Sequence, residues 1–173
     1  MKRNKLYIGL VACVAAFISV ASFTIQSQDQ EFVMKAAEGG MLEVELGNLA
    51  AKSGSSAKIK DYGKMMVKDH SKVNEELKAL AAKKQIKIPA ALSSAAKQQY
   101  DSLAAMQGEK FDMLYMNMMI ASHEETVGLF QTESNKGQDK ELKSWADAKI
   151  PALKQHLEKA KKLFEPGTAV HSH

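Results

Sequence analysis

Four long stretches of the chain repeat apolar or small residues at spacings of three and four, which is the period of a helix with one buried face. They cover about residues 30–52, 57–84, 109–134 and 139–164. In the first stretch, the repeating positions are Val33, Ala36, Ala37, Gly40, Val44, Gly47 and Ala51. No segment alternates apolar and polar residues in the way typical of a strand. The pattern therefore predicts four long amphipathic helices.

Helix-stopping residues separate these stretches. Gly54, with serines on both sides, predicts a tight turn between the first two helices, and Gly137 predicts another between the last two. Pro89 interrupts the chain in the longer link, where residues 93–106 predict a short extra helix. Short turns place consecutive helices antiparallel. The sequence thus predicts an all-α protein, an antiparallel four-helix bundle over residues 29–164 with a short extra helix between helices 2 and 3.

The first residues are typical of an export signal. Basic residues in positions 2–5 precede an apolar run over 6–20, which is short for a membrane span. Small residues favour cleavage after Ala21, and a cut as late as residue 28 stays an alternative. We therefore predict a signal peptide over 1–21, no transmembrane segment in the mature chain, a periplasmic or outer-membrane-associated location, and a disordered tail over 165–173.

Composition narrows the classes of function. The single cysteine, Cys13, lies inside the predicted signal, so the mature chain holds no disulfide. Lipidation at Cys13 is the less favoured alternative. Loss of Lys2, Arg3 and Lys5 lowers the basic count from 24 to 21 against 20 acidic residues. Such a balance does not favour a nucleic-acid partner.

Ionisable residues occur on or beside the apolar face of each predicted long helix. Burial of such groups is costly unless they pair or bind a metal ion. Imidazole and carboxylate ligands suit zinc, iron, manganese or copper. The alternative is that the histidines are structural and bonded to neighbouring helices. The candidate metal-ligating residues are Glu43, Asp69, His70, Asp112, His123 and His156.

Counting from the turns places these histidines at different heights. Around a turn centred near Lys136, His123 lies level with about Lys149, and at about 1.5 Å per residue its offset from His156 is on the order of 10 Å. Two smaller polar layers are therefore the alternative to one cluster. None of the three histidines has a glutamate three residues before it, which disfavours a di-iron centre of the ferritin type.

The third helix is also rich in methionine. Thioethers that precede a histidine could bind copper(I), but such residues more often fill irregular gaps in a core. The methionines are Met113, Met116, Met118 and Met119.

Four segments together resemble the bacterial family catalogued as domain of unknown function 4142. They are AAEGGMLEVELGNLAAKSGS (36–55), YGKMMVKDHSKVNEELKALA (62–81), FDMLYMNMMIASHEETVGLFQ (111–131) and LKSWADAKIPALKQHLEKAKKL (142–163). The resemblance implies a ferritin-like fold and export, without a reaction. Its pattern includes the pair Asp69-His70, the run Phe111 to Tyr115, and histidines matched by His123 and His156.

The favoured hypothesis is an exported bundle that binds a metal ion or small ligand through inward histidine and acidic residues, in envelope stress protection. The alternative is a non-catalytic envelope interaction protein with structural histidines. A metal-dependent oxidase ranks third, because no complete carboxylate-bridged ligand set is visible in the sequence.

Overall fold

The computed structural model describes residues 12–164, and side chains from 28 to 164. This part of the chain folds into five α-helices and contains no strand, so the predicted all-helical class is confirmed. Residues 1–11 and 165–173, which hold the start of the predicted signal and the predicted tail, lie outside the described residues. The helices are α1 (Ala12–Ser53), α2 (Ala57–Lys83), α3 (Ser94–Ala104), α4 (Gly108–Lys136) and α5 (Lys140–Phe164).

The turn residues define the helix ends closely. Ser56 caps α2 by accepting a hydrogen bond from the Ile59 backbone N–H, and Ser93 caps α3 in the same way. The first helix differs from the prediction, because α1 is already helical at Ala12, the first residue that the structure describes, and not only from residue 30. No glycine or proline occurs between residue 12 and the predicted start, so nothing in the sequence stops the helix there.

The helices pack as two hairpins. α1 lies along α2 and α4 lies along α5, while α1 also packs against α4, and α3 contacts both. At Gly47 of α1, an added Cβ would lie 3.0 Å from the Gly63 carbonyl oxygen of α2. The glycine on the apolar face therefore permits close approach of the two helices. No helix within residues 12–164 is both long and apolar enough to cross a membrane.

The core consists of two apolar clusters. The first, near the α1–α2 turn, includes Tyr62, Met66 and Met119, and the second, near the α4–α5 turn, includes Leu77 and Phe130. Along α2, His70 lies between Met66 and Leu77; along α4, His123 lies between Met119 and Phe130. A layer of ionisable side chains therefore separates the two halves of the core.

Candidate metal centre

Three histidines from three helices converge at this layer. His70 of α2, His123 of α4 and His156 of α5 are 3%, 0% and 7% exposed, and their ring centroids lie 5.4–5.5 Å apart. The structure therefore has one cluster, and the alternative of two separate polar layers is wrong. Side chains on a helix lean toward its N-terminus. The turn between α4 and α5 is centred near residue 138, two residues later than counted, so the backbone offset between His123 and His156 is about 4.5 Å. On these antiparallel helices the lean of the side chains brings the two rings toward each other across that offset.

Each imidazole is held through one ring nitrogen. His70 Nδ1 donates to Glu43 Oε2 (2.9 Å), and His156 Nε2 donates to Asp69 Oδ2 (3.1 Å). His123 Nδ1 is 2.9 Å from the carbonyl oxygen of Met119, which can only accept. These partners fix the tautomer of each ring when it is neutral. In that state the second nitrogen of every ring carries a lone pair.

The second nitrogens form the candidate ligand set. His70 Nε2, His123 Nε2 and His156 Nδ1 are buried and have no hydrogen-bond partner among the described residues. One ring nitrogen from each histidine lies within 4.8 Å of the others. A tetrahedral metal with bonds of about 2.0–2.1 Å needs these atoms about 3.4 Å apart.

Glu43 supplies negative charge beneath the cluster. Its side chain is 2% exposed, and it accepts a hydrogen bond from Ser122 Oγ (2.8 Å) as well as from His70. Burial favours the neutral acid, but the charge and hydrogen bond of His70, the charge of His123 and the Ser122 hydroxyl together lower the pKa of Glu43 to about 2. Glu43 is therefore an ionised carboxylate in the core.

The three imidazoles differ in basicity. Burial, followed by the charges of His70 and His123, lowers the pKa of His156 to about 4, and burial also lowers the pKa of His123. Burial opposes charge on His70 too, but Glu43 outweighs it and raises the pKa of His70. His123 and His156 are thus neutral near pH 7. Neutral imidazole is the form that binds metal ions, so a proton carried by His70 would be released on metal binding.

The remaining predicted site residues lie in different places. Glu43 and Asp69 orient rings of the cluster, whereas Asp112 lies near the start of α4 and its carboxylate accepts hydrogen bonds at the α1–α2 turn from Ser55 N (2.8 Å) and Ser55 Oγ (2.6 Å). The structure does not bring Asp112 to the histidines. Ser122, the hydroxyl partner of Glu43, was not predicted, since a serine beside a histidine is not a signal by itself.

The methionines of α4 differ in burial. Met116 and Met119 are buried in the core cluster near the α1–α2 turn, and Met118 packs against that cluster. Met113 is 59% exposed. Burial of Met116 and Met119 is what the core-filler interpretation predicts.

Comparison with protein families identifies the chain. A family model described as a domain of unknown function (DUF4142) matches residues 19–163. The chain belongs to the DUF4142 family. No curated protein matches this DUF4142 chain.

Solved structures share its fold at low sequence identity. CopM in the Cu(I)-bound form has a TM-score of 0.66 at 18% identity, over 79% of this chain and 94% of CopM. CopM in the Cu(II)-bound form gives 0.67 at 17% identity, over 79% and 95%. A DUF305 fragment from Deinococcus radiodurans gives 0.70 at 10% identity, over 79% and 95%. At these identities the likeness shows the helical fold of the DUF4142 chain alone.

Proposed function

We propose that the protein binds one transition-metal ion through His70, His123 and His156. The observation that carries this proposal is the convergence of three buried ring nitrogens without partners within the described chain. A buried polar atom without a partner costs about 1–3 kcal/mol, and a metal ion would satisfy all three at once. Glu43, Asp69 and the Met119 carbonyl hold the opposite nitrogens, as outer-shell partners do in metal sites.

The chemistry of the three ligands limits which metal ions could bind. Three imidazoles suit copper, zinc, iron or nickel, and copper(II) binds most tightly to nitrogen ligands of this kind among the divalent first-row ions. The likeness to CopM, whose solved structures include a Cu(I)-bound and a Cu(II)-bound form, makes copper the first ion to test.

We place this activity in an exported protein, periplasmic or associated with the outer membrane, which protects the cell envelope under metal stress. The basic and apolar residues of positions 1–21 support export. The two packed hairpins support a ferritin-like antiparallel four-helix bundle as the scaffold.

The test uses protein purified after expression of the full chain, with His171→Ala and His173→Ala in all samples to remove tail histidines. Elemental analysis is followed by thermal melts with copper, zinc, iron(II) and manganese. A metal that binds only the folded state should stabilise it by about 2.7 kcal/mol at a hundredfold excess over Kd. His70→Ala or His156→Ala should abolish this gain, whereas Met113→Leu, at an exposed thioether on the same protein, should leave it intact.

A structural role for the histidines gives a different result. Metal would then be substoichiometric, and each substitution would lower stability equally with and without metal. That outcome would overturn the metal proposal and leave the envelope interaction protein as the favoured function.

A further inference from the structure

A cavity of about 80 Å³ adjoins the histidine cluster. His70, His156 and Glu43 lie on one part of its wall, and apolar residues that include Leu77, Phe130 and Trp145 form another. A cavity needs about 10–15 Å³ of such volume to hold one water molecule. The cavity therefore has room for a few waters or for a ligand of a few heavy atoms, beside two of the three candidate ligands.

The α1 wall of this cavity carries no side chain at two successive positions. A Cβ added at Gly39 would meet nothing within 4 Å, so the missing side chain leaves open space. A Cβ at Gly40 would overlap the Asn74 side-chain amide. Asn74 lies one helical turn after His70 and also lines the cavity, and its Oδ1 is buried without a donor among the described residues. That oxygen could accept a hydrogen bond from a water molecule inside the cavity.

The carboxylates of the cluster are already engaged. Glu43 accepts hydrogen bonds from His70 and Ser122, and Asp69 accepts one from His156. A metal ion on the three histidines would therefore have three protein ligands, as in zinc sites that keep an exchangeable fourth position for water or substrate. Structural sites, in contrast, have four protein ligands.

We propose that the fourth coordination position of the bound metal opens into this cavity and takes a small monodentate ligand, water or a small anion. This inference rests on the proposed metal site. It makes the centre an open one, in which the metal exchanges a ligand with solvent through the gap at Gly39. The apolar wall and the small volume exclude larger, chelating ligands.

Copper(II) and azide provide the test. Copper(II) is the probe because it binds nitrogen sites more tightly than the other divalent first-row ions, and azide bound to copper(II) gives a charge-transfer absorption band. Protein loaded with one copper(II) is titrated with azide in three forms: the parent, Gly39→Leu and Gly128→Leu. Gly128 is the matched control, since an added Cβ there also meets nothing within 4 Å and it does not line the cavity.

The expected result is a saturable azide band in the parent and in Gly128→Leu, with at least tenfold weaker azide binding in Gly39→Leu at equal copper content. Melts without metal check that both variants fold. A copper-loaded parent that gives no azide band would overturn the open site. Equal azide affinity in the two variants would overturn the cavity as the route. Failure of the parent to take up stoichiometric metal would overturn the proposed function, and the open site with it.

Discussion

The substitution Glu133→Gln should make the protein more stable at pH 8. Glu133, near the end of α4, is 1% exposed, and neither carboxyl oxygen has a donor among the described residues. Asp29 of α1 lies beside it and already accepts backbone hydrogen bonds from Gln138 (2.9 Å) and Asp139 (2.9 Å). A hydrogen bond between the two carboxyl groups thus requires a proton on Glu133.

The magnitude follows from the pKa. Burial, then the charge of Asp29 and the shared hydrogen bond, raise the pKa of Glu133 from 4.5 to about 7. Because the folded state binds this proton more tightly, the associated stability is complete below pH 4.5 and is lost as pH rises through about 7. A pKa shift of this size corresponds to a change of at most about 3 kcal/mol in the free energy of unfolding. We expect a smaller effect, about 1–2 kcal/mol, because a glutamine amide replaces the hydrogen bond of the protonated acid imperfectly.

Urea unfolding between pH 4.5 and 8 measures the effect, with a metal chelator present throughout. Glu133→Gln and the parent should have similar free energies of unfolding near pH 5, and the variant should be more stable by about 1–2 kcal/mol at pH 8. Glu125→Gln, at an exposed position of the same helix, serves as the control. A difference between Glu133→Gln and the parent that does not vary with pH, or a variant less stable at pH 8, would refute the reasoning.

Three further substitutions test the site and the packing. Glu43→Gln should weaken metal binding by about 10–100-fold in a competition titration, because a ligand would lose its charged outer-shell partner; unchanged affinity would show that the charge is not needed. Asp112→Ala should lower stability by about 1 kcal/mol through loss of the hydrogen bonds at the α1–α2 turn, with metal affinity unchanged. Weaker metal binding in this variant would show that Asp112 contributes to the metal site after all. Gly47→Ala should destabilise the fold in thermal melts, because its Cβ would lie 3.0 Å from the Gly63 carbonyl oxygen and 3.2 Å from Met66 Cβ; Gly128→Ala should instead stabilise by up to about 1 kcal/mol.

The helices could be predicted from local signals. Serine caps and glycine stops act within a few residues, so the start of α2 and the extent of α3 follow from Ser56 and Ser93. The extension of α1 to residues before position 30 could not be predicted in this way, because a helix without a stop signal continues through any residues that tolerate it. The stretch before residue 30 has no such stop.

The site was predictable in its members but not in its geometry. Histidines on apolar faces can be recognised in the sequence because burial of an ionisable group is costly without a partner. This signal identified His70, His123 and His156. Their convergence depends on the direction in which side chains lean, which a count of backbone positions ignores. Asn74 and the space at Gly39 had no signal, since a cavity exists only after the helices pack.

The layer of ionisable side chains also determines how the helices are aligned along their lengths. Within either apolar cluster, one aliphatic or aromatic side chain can replace another if a helix slides by one turn, about 5.4 Å. The pair of Glu43 and His70 tolerates no such shift, because sliding α1 past α2 by one turn would leave the carboxylate beside side chains such as Met66 or Val73. An unpaired buried charge costs about 3–5 kcal/mol. His70, a proposed metal ligand, and Glu43, which holds its ring, therefore specify a single alignment of the two helices, and they do so even when no metal is bound.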